Sequence, residues 1–116
     1  MQGALIRLKK MAGSSTALEI LDRFLEESPG RLKACLDALA QGDLLELQHN
    51  LHRIRSDAGW LGARAVQDLA GQGETLAMEG QTEGLETLLQ QLSGLCYEAG
   101  QELHRQRTLL LGSQES

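Results

Sequence analysis

The sequence predicts an all-α fold, an up-down four-helix bundle with a short extra N-terminal helix. The first observation is composition. Hydrophobic residues form 41% of the 116-residue chain and aromatic residues only 3%, and the abundance of Leu, Ala, Glu and Gln favours helix over sheet. The second is spacing, because apolar residues recur at intervals of three and four along almost the whole chain, as in amphipathic helices.

The first half of the chain contains two sequence patterns that are typical of helix starts. We expect a short opening helix over residues 4–11. Thr16 and Glu19 have the spacing of a capping box, which predicts the start of a second helix. Ser28 and Pro29 form an N-cap and first-turn pair, so the sequence predicts a break or kink there before the helix continues.

The second half of the chain contains three further helices. Gly42 is expected to end the preceding helix, and Asp43 with Glu46 forms a second capping box. The last two helices are predicted over residues 63–79 and 83–107. The predicted core stripes are Leu18, Leu21, Phe24, Leu25, Leu32, Cys35, Leu36 and Leu39; Leu44, Leu47, Leu51, Ile54, Ala58 and Leu61; Val66, Leu69, Leu76 and Ala77; and Leu85, Leu88, Leu89, Leu92, Leu95, Cys96, Ala99 and Leu103.

One domain is expected from these elements. Residues 1–107 are predicted to form the bundle, and residues 108–116 a flexible C-terminal tail. Because four helical stripes in one chain complete a bundle without a second copy, we expect a monomer.

Charge and composition exclude several classes of function. A net charge of -5 argues against nucleic-acid binding, which needs a dense cationic surface. The chain contains no apolar run of about 20 residues and no signal-peptide core, so we expect no membrane span and a cytoplasmic location. Cys35 and Cys96 fall in core stripes and are expected to be buried, reduced thiols. We find no Cys/His cluster and expect neither a metal nor another cofactor.

The helix after Asp43 carries one histidine that the pattern turns away from the core. At about 100° per residue, His52 lies well over a right angle from the apolar stripe of its helix and should face solvent. Six neighbours project within roughly 60° of it and form one surface strip. They are Leu45, Gln48, His49, Arg55, Ser56 and Gly59. We refer to this set with His52 as the His52 strip.

The segment HRIRSDAGWLGA, residues 52–63, resembles the signature of histidine-containing phosphotransfer (HPt) domains. In that signature the histidine is followed by a hydrophobic residue at two, a basic residue at three, small residues, and a hydrophobic-Gly-Ala turn. Ile54 and Arg55 stand at the first two positions, and residues 61–63 form the turn. The upstream run LDRFLEESPGRLKACLDALAQGDLLELQHNLHRI is also similar, and the likeness covers roughly residues 4–107.

The resemblance implies a phosphocarrier in a two-component phosphorelay. His52 would accept a phosphoryl group from a receiver-domain aspartyl phosphate and pass it to, or take it back from, another response-regulator receiver. Arg55 would stabilise the charge on the phosphoryl oxygens. Mg²⁺ is expected on the receiver and not here. The chain has no P-loop or nucleotide box, so we expect no ATP-dependent activity of its own.

Two positions depart from the family pattern. Ser56 stands where the family often has glycine, and its hydroxyl is expected either to orient the imidazole ring or to be merely small enough for close approach. Asp57 is expected to form a surface ion pair with Arg53, four residues earlier. Leu45, together with Gln48, His49 and Gly59 of the strip, is expected to bind the partner.

Other interpretations stay open at this stage. The chain is alternatively a helical interaction module, or a phosphoacceptor domain belonging to a hybrid sensor histidine kinase whose own receiver would be the partner. Trp60, just past the strip, either packs at the helix end or borders the docking surface. The sequence does not identify the cognate receivers, the direction of phosphate flow or the pathway controlled.

Overall fold

The computed structural model describes residues 13–115, and the secondary structure assigned there is helical. Four helices follow in chain order: α1 Ser14–Gln41, α2 Leu44–Leu61, α3 Arg64–Met78 and α4 Leu85–Glu115. Each packs against two others, α1 on α2, α2 on α3, α3 on α4 and α4 on α1. The predicted all-α bundle is confirmed, whereas the expected opening helix over residues 4–11 lies outside the described residues.

Tight connections on both sides of α2 make its neighbours antiparallel to it. Gly42 and Gly62 end α1 and α2 in the left-handed conformation, with φ of 73° and 72°, which glycine adopts without a Cβ clash. The Asp43 carboxylate then accepts a hydrogen bond of 3.1 Å from the backbone N–H of Glu46. The predicted start of α2 is confirmed, and α2 is held between α1 and α3.

The first described helix corrects two sequence predictions. α1 begins behind Gly13 without a side-chain cap, so Thr16 is not its N-cap. The expected break at Pro29 is also absent, and the helix is continuous through it. An interior proline costs a helix about 3 kcal/mol. Phe24 and Leu32, on either side of the proline, are both buried in the core, and burying two such side chains offsets that cost.

The predicted stripes form the core, with one exception. Leu36 is 42% exposed, because it lies about 100° around α1 from the fully buried Cys35 and therefore outside the packed face. The buried members of the predicted stripes are Leu21, Phe24, Leu32, Cys35, Leu47, Leu51, Ile54, Ala58, Leu61, Val66, Ala77, Leu85, Leu88, Leu89, Leu92, Cys96, Ala99 and Leu103.

Both cysteines are buried and unpaired, as predicted. Burial disfavours the thiolate, and it raises the pKa of Cys35 to about 12 and that of Cys96 to about 11. Such thiols are poor nucleophiles at neutral pH.

The last helix is longer than predicted. α4 continues past residue 107 to Glu115, and flexibility of residues 108–116 stays a prediction. Among the described residues, no helix is both long and apolar enough to cross a membrane.

Candidate functional site

His52 lies on the side of α2 that neither neighbouring helix covers. Its side chain is 54% exposed. Leu45 is 77% exposed, and His49 and Ser56 are also exposed. Gln48, Arg55 and Gly59 are half-buried. The structure therefore brings the seven residues of the His52 strip to one surface, as their helical spacing predicts.

A carboxylate from the neighbouring helix contacts the His52 ring. Oε1 of Glu74, on α3, lies 3.0 Å from Nδ1 of His52. Sequence reasoning missed this residue because it considered only the face of α2. A signal was nevertheless present: Glu74 follows Ala70 by four residues and precedes Ala77 by three, so it lies on the buried stripe of α3. A buried carboxylate needs a polar or charged partner.

Arg55 joins the same contact from the next turn of α2. Its Nη2 lies 3.3 Å from Nδ1 of His52, and its Nε lies 3.2 Å from Oε2 of Glu74. The second contact is an ion pair without hydrogen-bond alignment, so the buried Oε2 atom has no hydrogen-bond partner among the described residues. The Arg55 side chain lies close to Gly71, where a Cβ would stand 3.4 Å from Cδ of Arg55. The guanidinium is thereby held beside the ring.

The contacts of Nδ1 determine which ring nitrogen carries the proton. A carboxylate only accepts hydrogen bonds, so a bare Nδ1 at 3.0 Å would set two lone pairs against each other. The Arg55 guanidinium only donates, and it competes for the same nitrogen at 3.3 Å. We favour the Glu74 contact, which is shorter and involves a buried carboxylate. In the neutral ring, Nδ1–H of His52 then donates to Glu74, and Nε2 keeps its lone pair.

Ser56 is exposed, and no side-chain hydrogen bond to the ring is found for it among the described residues. Nδ1, the ring nitrogen that we expected the serine hydroxyl to bond, is in contact with Glu74 instead. The smallness of Ser56 stays a prediction about the approach of a partner.

A shallow concavity of about 360 Å³ opens beside the ring. Trp60 is 52% exposed and borders it; that it borders a docking surface stays a prediction. The lining residues are His52, Arg55, Ser56, Gly59, Trp60 and Gln67.

Asp57 corrects a further sequence prediction. It is not a surface residue paired with Arg53; it is 4% exposed and faces α1. Nη2 of Arg23 lies 2.7 Å from Oδ1 of Asp57, and Nη1 of Arg31 lies 3.1 Å from Oδ2. The hydrogen bond to Asp57 raises the pKa of Arg23. Because position 57 projects about 140° from His52, this cluster fixes α2 against α1 on the side away from the strip.

No group of three or more potential metal ligands lies together in the described part of the chain. Glu74 does approach His52, but its second oxygen faces Arg55. The site thus consists of an imidazole, a carboxylate and a guanidinium.

The family model described as Hpt domain matches residues 19–105, about three quarters of the chain. The matched region contains the whole of α2 and α3, and therefore His52, Arg55 and Glu74. Comparisons with curated proteins and with solved structures gave no match.

Proposed function

The chain belongs to the Hpt domain family, and we propose that His52 is its phosphoacceptor. Members of this family have a phosphotransfer role in two-component signalling, act as phosphocarriers rather than enzymes, and interact with response-regulator receiver domains. In our proposal the domain is a phosphorelay intermediate. It accepts the phosphoryl group of a receiver aspartyl phosphate and passes it to another receiver or returns it.

The transfer is a displacement at phosphorus. The Nε2 lone pair of His52 attacks the phosphorus atom, a new N–P bond forms, and the bond from phosphorus to the aspartyl oxygen breaks. The leaving carboxylate takes the bonding electron pair, and no proton has to move. The ring keeps its Nδ1 proton and becomes a positively charged phosphoimidazolium.

Two charged side chains meet the charges that this step creates. The Glu74 carboxylate, hydrogen-bonded to Nδ1–H, offsets the positive charge that develops on the ring. Arg55 stands beside the ring and offsets the negative charge of the phosphoryl oxygens. Glu74 is in place before the phosphoryl group arrives, whereas the Arg55 guanidinium, which contacts the Nδ1 side of the ring, would turn toward the phosphoryl oxygens at Nε2.

The remaining strip residues would form the surface on which the receiver docks. Leu45 is the apolar anchor, with Gln48, His49 and Gly59 around it. Ser56 is small enough to let the partner approach the ring. Mg²⁺ would be held by the receiver. A cytoplasmic location and a monomeric state are part of the same proposal.

The observation that carries the proposal is the contact of a buried carboxylate with Nδ1 of a half-exposed histidine, because it leaves Nε2 as the nucleophile. The test uses a panel of phosphorylated receivers with Mg²⁺. The wild-type protein should acquire an acid-labile, alkali-stable label, and His52→Gln should acquire none. His104→Gln, an exposed histidine on α4 outside the His52 strip, is the matched control and should be labelled like the wild type. ATP alone should give no label.

Two outcomes would contradict the proposal. A label on His49 in the His52→Gln variant would move the site by one turn of α2. Receivers that bind the wild type and a His52→Ala variant equally well, with no transfer to either, would favour a helical interaction module.

A further inference from the structure

The side chain of Gln67 lies over a glycine of the His52 strip. A Cβ placed on Gly59 would stand 3.0 Å from Nε2 of Gln67 and 3.4 Å from its Cδ. The first distance is tighter than nearly all packed Cβ contacts, so a side chain at position 59 would push the amide aside by a few tenths of an ångström. Gln67 is held against α2 at the edge of the concavity.

The register of the two helices sets this contact at a defined distance from the reacting ring. Gly59 follows His52 by seven residues on α2, and Gln67 precedes Glu74 by seven on the antiparallel α3. Seven residues are two turns, about 10 Å along each helix axis. The Gln67 amide is thus too far along the bundle to serve the ring directly, yet it lines the same concavity as His52.

The chemistry of the concavity fits a peptide segment. Among the described residues, no side-chain hydrogen bond engages the Gln67 amide, so its N–H and C=O groups remain available. A primary amide can donate to and accept from one peptide group. The half-exposed Trp60, which lines the same concavity, presents apolar surface, which suits an adjoining aliphatic side chain. Because the concavity is continuous with the phosphoacceptor surface, whatever docks on His52 must cover it.

We infer that Gly59, Trp60 and Gln67 form a docking subsite that binds a backbone peptide group and an aliphatic side chain of a receiver loop flanking its phosphorylated aspartate. This inference rests on the proposed phosphotransfer at His52. It assigns Gln67 to partner recognition and not to the chemistry of transfer. The subsite selects among receivers by the loop they present beside the aspartate.

The test compares a receiver with a small phosphodonor that needs no docking, phosphoramidate. Gln67→Ala and Trp60→Ala should each raise the KM for a cognate phosphorylated receiver about five-fold or more, the effect of losing one net hydrogen bond or an apolar contact. The rate at saturating receiver and the rate of labelling by phosphoramidate should stay at wild-type values. Gln72→Ala, an exposed glutamine on α3, is the control and should change nothing.

Gly59→Ala supplies a second variant in which folding and docking should move in opposite directions. The added methyl group displaces the flexible end of Gln67, and alanine favours helix over glycine, so stability should hold or rise while the KM increases. Gly94→Ala on α4 adds the same methyl group where nothing lies within 4 Å, and it should leave the KM unchanged.

The possible outcomes separate this inference from the proposed function. Transfer to the wild type with unchanged KM in Gln67→Ala, Trp60→Ala and Gly59→Ala would overturn the subsite alone. A slower reaction of Gln67→Ala with phosphoramidate would also overturn it, because it would place Gln67 in the chemistry. Failure of every receiver to label His52 in the wild type would overturn the proposed function itself.

Discussion

Replacing Glu74 by glutamine separates the charge of this residue from its shape. Glu74→Gln keeps an oxygen that can accept from Nδ1–H of His52, but it removes the negative charge that offsets the phosphoimidazolium. A hydrogen bond to a charged group contributes about 1.5–3 kcal/mol, against about 0.5–1.5 kcal/mol for a neutral one. The His52 side chain is 54% exposed, so solvent screening reduces the difference. We expect a loss of about 1 kcal/mol, which is about five-fold in the rate of phosphoryl transfer.

Stability should not follow the same direction. The Glu74 side chain is only 10% exposed, and its Oε2 has no hydrogen-bond partner among the described residues. Neutralising such a carboxylate relieves a desolvation penalty. Arg55 loses its ion pair, but at 43% exposure it can be solvated by water. The free energy of unfolding of Glu74→Gln should therefore stay level or rise.

The assay is quenched-flow transfer from one phosphorylated receiver, with urea unfolding of the same samples. Glu83→Gln, an exposed glutamate in the connection between α3 and α4, is the control and should behave as the wild type in both. Wild-type transfer by Glu74→Gln would show that the carboxylate does not assist the ring. A large loss of stability would show that it is a structural residue.

Four further changes have expected outcomes. Arg55→Ala should raise the activation free energy of transfer by about 1–3 kcal/mol, since it removes a charged hydrogen-bond donor. An unchanged quenched-flow rate would show that the receiver alone stabilises the charge on the phosphoryl oxygens. Leu45→Asp should weaken receiver binding, measured by calorimetry, with an unchanged thermal midpoint, because Leu45 is 77% exposed; a lower midpoint would place it in the core. Asp57→Ala should destabilise the fold by about 1.5–3 kcal/mol in urea, since it removes the charged hydrogen bonds that a buried carboxylate accepts from Arg23 and Arg31, while Arg31 keeps its ion pair with Glu27; a loss below about 1 kcal/mol would contradict the buried cluster. Burial raises the pKa of the Cys35 and Cys96 thiols from the ordinary 9.0 to about 12 and about 11. The stability that follows from keeping these thiols protonated is full below about pH 9 and is lost as the pH rises toward those values. The free energy of unfolding of Cys35→Ala should therefore fall less than that of the wild type between pH 9 and 11.

Local patterns predicted the part of the site that one helix contains. The stripe from Leu47 to Leu61 and the Asp43 cap determine how α2 is rotated and where it begins. These two features turn His52 and its strip to solvent, and neither depends on distant residues. The same local reasoning is sufficient for the helical class, because apolar spacing is a property of each segment.

Contacts between helices could not be predicted in this way. The partners of Asp57 come from α1, 34 and 26 residues away in sequence, and Glu74 reaches His52 from 22 residues away. Each pairing depends on the register of two packed helices, which helical periodicity does not specify. The continuity of α1 through Pro29 likewise follows from core burial on both sides of the proline and not from its own residue preference.

The central claim is that His52 reacts through Nε2 while Nδ1–H stays bonded to Glu74, and NMR of the phosphorylated protein tests it most directly. The protein is labelled with ¹⁵N in its histidine rings, phosphorylated, and examined for phosphorus–nitrogen coupling. The account predicts coupling to Nε2 of His52 and a proton retained on Nδ1. Coupling to Nδ1 of His52, or to either nitrogen of His49, would contradict it.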